Sequence, residues 1–185
     1  MPRIGKTALL LELADKLLSR AEQNSDHPIP VIFNLSSWSA QRRPLVEWLV
    51  DELHTAYDVP LAIGKTWFEN GKLLLFLDEL DKVALEHRAK CVQEINAYRS
   101  AHGFVPLVVC SRAANYAALP VKLRLHGAIE VKPHSKIASR KLYLSALITS
   151  IAAAFVIGFL TGGRVQATPR LRSAAFRRLY GSTIT

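Results

Sequence analysis

The chain has 185 residues, half of them apolar, with 24 Lys and Arg against 15 Asp and Glu for a formal charge of +9, which bounds it at one core plus an appendage. Nine of the basic residues fall in 132–185 and the last acid is Glu130, so residues 1–131 are charge-balanced and the basic excess gives no evidence for nucleic acid as a partner. Two cysteines suit buried free thiols in a reducing compartment better than a disulfide framework, and six scattered histidines form no metal-ligand spacing.

The first apolar run, Ala8 to Leu11, is broken at once by Glu12 and Asp15 and does not make a signal peptide. From Lys6 to about Glu22, Leu9, Leu10, Leu13, Leu17 and Leu18 recur at helical spacing, which predicts a first helix. "PIPVIFNLSSW" (28–38) is β-branched and aromatic and predicts a strand leading into a Ser-rich turn. "PLVEWLVDELHTAY" (44–57) starts on proline and places Leu45, Trp48, Leu49 and Leu53 on one side, an amphipathic helix. "GKLLLFLDEL" (71–80) is a continuous apolar run ending in acids, the pattern of a strand buried on both faces of a parallel sheet.

A helix is predicted over about 85–101, with Val92, Ile95 and Tyr98 along one side. "FVPLVVCSR" (104–112) follows as a further buried strand, and "GAIEVK" (127–132) as a shorter one after a loop around Pro120. Cys91 lies in the helical pattern and Cys110 in the strand, positions for buried free thiols. Helices alternate with strands, so residues 1–131 are read as an α/β domain with a mainly parallel sheet. Ligands of such sheets bind at the carboxyl ends of the strands.

Three groups of residues fall at those ends. Gly5-Lys6-Thr7 reads as the second half of a phosphate-binding loop, G-x-x-x-x-G-K-[ST], whose first glycine would stand one position before Met1. Main-chain N–H groups at the start of a helix favour a phosphate, Lys6 adds a point charge, and Thr7 offers a hydroxyl to Mg²⁺. A second copy, Gly64-Lys65-Thr66, has no buried strand before it and is read as surface sequence. Asp78 ends the run Leu73 to Leu77 where a Mg²⁺-holding carboxylate belongs. Glu79, Asp81 and Lys82 follow, and a carboxylate beside a metal ligand can act as general base. Arg112 ends the "VVCSR" strand, where a guanidinium can stabilise transferring charge. The bland alternatives are a solvated turn for the acids and a surface ion pair for the arginine.

Taken in order, "GKTALLLELA", "PVIFNLSSW", "LLLFLDELDKV" and "VPLVVCSR" resemble the bacterial NACHT-domain NTPases, members of the signal-transduction ATPases with numerous domains, over roughly 1–131. The resemblance implies a P-loop NTPase-like parallel sheet flanked by helices and lacking its first strand. It also implies binding of ATP or GTP with Mg²⁺, slow hydrolysis, and a switch that oligomerises when a separate sensor detects a signal. Gly5, Lys6 and Thr7 map onto the family's Walker A residues, Thr7 and Asp78 onto its Mg²⁺ ligands, and Arg112 onto its sensor arginine. Glu79, Asp81 and Arg112 are thereby the candidate catalytic residues. The family pattern D-[GAS]-x-D-E has a small residue where Glu79 stands and an acid where Lys82 stands, and Arg3 occupies a usual glycine position.

Beyond the boundary, 132–141 is a basic linker and 164–185 a basic tail expected to be disordered. Between them 142–163 is a charge-free stretch of 22 residues, long enough at ~1.5 Å per residue to span a membrane. A buried apolar helix is the rival reading. Ala146, Ser150, Ala154, Gly158 and Gly162 recur every fourth residue, a ridge suited to self-association. Basic residues nearly balance on its two sides, so the placement expected, single-pass with the NTPase domain cytoplasmic, follows from the use of cellular nucleotide. Three alternatives accompany this reading: a degenerate, non-hydrolysing interaction module tethered to a membrane, a truncated or frameshifted product changing frame near 132, and another P-loop class such as an AAA+ ATPase or nucleotide kinase.

Overall fold

The computed structural model describes residues 6–24, 26–41, 43–103 and 105–131. The linker, the 142–163 stretch and the tail lie outside them, and among the described residues no helix is long and apolar enough to cross a membrane. The domain is α/β. Helix α1 (Lys6–Gln23) leads to strand β1 (Ile29–Asn34), then α2 (Leu35–Gln41), α3 (Leu45–Tyr57), α4 (Leu61–Glu69), β2 (Leu73–Asp78), a 3₁₀ turn (Leu80–Lys82), α5 (Leu85–His102), β3 (Leu107–Val109) and α6 (Ala113–Ala117).

The three strands form one parallel sheet in the order β1-β2-β3. Strand β2 is central and buried at every position, as its unbroken apolar run requires. Successive side chains leave opposite faces of a strand, and the core divides accordingly. Leu74 and Phe76 pack with Leu10, Leu13, Ala14 and Leu17 of α1 on one face. On the other, Leu73, Leu75 and Leu77 join Val31 and Phe33 of β1, Trp48, Leu49 and Leu53 of α3, and Val92 and Ile95 of α5. Each such side chain, once buried, contributes about 1.5–3 kcal/mol of transfer free energy. Trp48 is fully buried, and its indole N–H has no acceptor among the described residues.

Turns are set by local chemistry. Helix α3 ends at Asp58 in the left-handed conformation, with Asp58 N–H on the His54 carbonyl and Val59 N–H on the Leu53 carbonyl, two bonds that satisfy the last turn's acceptors. Helix α5 ends at Gly103, whose φ of +63° costs a glycine little. Only five residues link α1 to β1. A helix of ~27 Å lying along strands of ~20 Å therefore has its last turn at their amino ends and its first turn at their carboxyl ends.

Three sequence expectations are corrected. The Ser-rich stretch after β1 is helix α2, because Asn34 Oδ1 accepts from both the N–H and the hydroxyl of Ser36, and Leu35 and Trp38 are buried. Residues 127–131 are no strand: all are exposed, Ile129 and Val131 at 48% and 43%. The segment before them is held on α5 instead, where Asn96 bonds the main chain of Lys122 and Arg124. The strand expected over 104–112 is ordered as β only at Leu107–Val109.

Candidate functional site

Strands β1 and β2 end in register at Asn34 and Asp78, and β3 ends at Val109 opposite Leu77. Past that point Cys110 N–H donates to the Leu77 carbonyl at 2.8 Å, and Leu80 N–H to the Cys110 carbonyl at 3.1 Å. The 3₁₀ turn is thereby stitched to the end of β3, which brings Asp78, Glu79, Asp81 and Arg112 to one end of the sheet. Helix α1 opens at that same end with Lys6 and Thr7 in its first turn. Gly5 and the side chains of Lys6 and Thr7 lie outside the described structure.

Asp78 is 5% exposed, and its Oδ1 accepts the Glu79 N–H at 2.8 Å. Glu79 itself adopts φ 63°, ψ 32°, the left-handed region in which a Cβ is strained. The chain turns there from strand into the 3₁₀ turn. Its carboxylate pairs with Lys82. The hydrogen bond that Lys82 donates to Glu79, then the charge of Glu79, hold its ammonium above the usual range against the opposing effect of burial, with lesser help from the charges of Asp81 and Asp78.

Asp81 sits three residues past Asp78. Its Oδ1 accepts the main-chain N–H of Arg112 at 3.0 Å and its Oδ2 the Arg112 Nε at 3.0 Å. The two residues differ in burial: the Asp81 side chain is 7% exposed, that of Arg112 70%. Arg112 is also the residue just before α6.

One residue of this cluster is not read from the sequence. Arg88, buried in α5, donates Nη2 to the carbonyls of Asp81 and Val83 and Nε to that of Val83. Its signal was positional: Arg88, Cys91, Val92 and Ile95 stand at i, i+3, i+4 and i+7 on the inward stripe of α5. An arginine on such a stripe has its charge inside, where it needs acceptors.

The second Gly-Lys-Thr lies within α4, with Lys65 and Thr66 exposed and the Thr66 hydroxyl on the Ala62 carbonyl. It is surface sequence, with only Gly64 turned inward. Among the described residues no group of three or more His, Cys, Asp or Glu could hold a metal ion. A single buried carboxylate is nevertheless a donor set that suits Mg²⁺, which keeps several waters and takes further oxygens from phosphate. Asp78 provides that carboxylate. Compared with protein-family models, curated proteins and solved structures, the chain matches none.

Proposed function

We propose that residues 1–131 are the nucleotide-binding core of a NACHT-type signalling protein, binding ATP or GTP with Mg²⁺ and hydrolysing it slowly as a switch. The observation that carries this reading is the buried Asp78 at the end of the central strand, beside a turn that holds Arg112, at the end of the sheet where α1 begins. In this reading the first turn of α1 and Lys6 attract the phosphates. Thr7 and Asp78 hold Mg²⁺, which when bound offsets phosphate charge. Arg112 meets the terminal phosphate, and Glu79 orients the attacking water. Attachment to a membrane through 142–163, with self-association there, completes the proposal.

Binding of a fluorescent ATP or GTP analogue to the chain, with and without Mg²⁺, tests it. Mg²⁺-dependent binding that weakens about tenfold or more in Lys6→Ala and Asp78→Asn is expected, the loss of one charged contact each. Absence of Mg²⁺-dependent binding by the parent chain overturns it. A second reading, binding without hydrolysis, is favoured by one feature: Glu79 is engaged by Lys82 and Asp81 by Arg112. Phosphate release no faster than that of Glu79→Gln under single-turnover conditions selects that reading.

A further inference from the structure

We infer that Asp81 positions Arg112 for a terminal phosphate and is not a proton acceptor. The inference rests on the nucleotide-binding reading above, and the geometry supports a different role for Asp81 from the one its place after Asp78 suggests. Both of its oxygens are committed to the same residue, Oδ1 to the main chain of Arg112 and Oδ2 to its Nε. A base must reach the water it deprotonates. Asp81 reaches little solvent, its side chain being 7% exposed, and taking up a proton would weaken two bonds whose strength comes from its charge.

The clamp acts on the other partner. A guanidinium has five N–H donors in a planar fork. Holding it by Nε fixes the plane while the Nη donors remain on a side chain that is 70% exposed. Two Nη donors held in one plane are the fork that matches a phosphate's oxygens. Arg88 completes the series from below: its Nη2 grips the Asp81 carbonyl at 2.8 Å, so buried α5 fixes the turn, the turn fixes Asp81, and Asp81 fixes Arg112. The group recognised is the terminal phosphate of a nucleoside triphosphate, which a diphosphate lacks.

The test compares Mg²⁺-dependent affinity for ATP and ADP in the parent, Asp81→Asn, Arg112→Ala and the double variant. The parent prefers the triphosphate. Arg112→Ala abolishes that preference, and Asp81→Asn reduces it about tenfold, the worth of one charge-assisted hydrogen bond, with ADP affinity unchanged. The double variant is no worse than Arg112→Ala, since the two residues act as one unit. An Asp81→Asn protein that keeps the full ATP preference but loses hydrolysis overturns the inference, because that is how a base behaves. A parent that binds both nucleotides equally overturns it while leaving nucleotide binding intact, and a parent that binds neither removes both. Should Asp81→Asn fail to fold, Asp81→Glu decides: it keeps the carboxylate but moves it by one methylene while leaving the Arg112 fork intact, so the triphosphate preference falls if the clamp matters and holds if it does not.

Discussion

Arg112 gives its main-chain N–H to one oxygen of Asp81 and its Nε to the other, at 3.0 Å each, across 31 residues of sequence. One carboxylate thus joins the turn after β2 to the start of α6. The two partners are unequal, and their substitution separates them. Asp81→Ala leaves the Arg112 N–H without its acceptor and removes a buried charge, a loss of about 2 kcal/mol. Arg112→Ala keeps the main-chain bond and loses only an exposed guanidinium, below about 1 kcal/mol. Urea unfolding of both variants checks the order; equal midpoints would show that the main-chain bond carries nothing.

Glu79 carries a side chain at a position whose backbone geometry favours glycine. At φ 63° a glycine avoids a strain of about 1 kcal/mol. Glu79→Gly is expected to gain roughly 0.5–1 kcal/mol despite losing the contact to Lys82, since an exposed pair contributes little. The same variant returns the Lys82 ammonium toward its ordinary 10.5, read by NMR titration of its ε-methylene. The sign follows: a lysine raised by a partner stabilises the fold at pH below 10.5, and that contribution fades as pH climbs through the raised value.

Cys91 gives an alkaline signature. Burial, with the charge of Glu94 adding to it, pushes its thiol from 9.0 up to about 12. Between those values the folded chain keeps a proton that the unfolded chain gives up, so stability falls with rising pH, by as much as about 4 kcal/mol over the whole interval. Cys91→Ala flattens the decline between pH 9 and 11 in a urea series while lowering stability near neutrality. In the native chain a thiol reagent labels half-buried Cys110 before fully buried Cys91; simultaneous labelling at pH 8 contradicts the burial.

What could be read from the sequence was what burial writes into it. The run Leu73 to Leu77 declared a central strand, and the spacing of Leu10, Leu13 and Leu17 declared the face of α1 that covers it. The order of Asp78 and Arg112 along two strand ends placed both at one edge of the sheet, because parallel strands share their carboxyl side. Hydrogen-bond chemistry was harder. Helix α2 is seeded by Asn34 on Ser36, a local bond that competes with the turn those serines otherwise favour. The grip of Asp81 on Arg112 and of Arg88 on Asp81 joins residues distant in sequence, and no periodicity announces such a bond. Ile129 and Val131 have the β-branched character of a strand without a partner to bury it, and propensity alone does not form one.

Gly64 offers a test of the helices that carry no chemistry. It is buried within α4, and a Cβ built there would stand 3.4 Å from Leu53 Cδ1 and 3.8 Å from Val50 Cγ1 of α3, ordinary contact for a methyl and nothing larger. In mid-helix, alanine is favoured over glycine by about 0.8–1.0 kcal/mol. Gly64→Ala is therefore expected to raise the melting temperature, and Gly64→Val to lower it, since its branches enter space that Leu53 and Val50 fill and overpacking costs about 1–3 kcal/mol. Thermal unfolding followed by circular dichroism separates the two. A drop for alanine would mean that α3 and α4 lie closer than this packing allows.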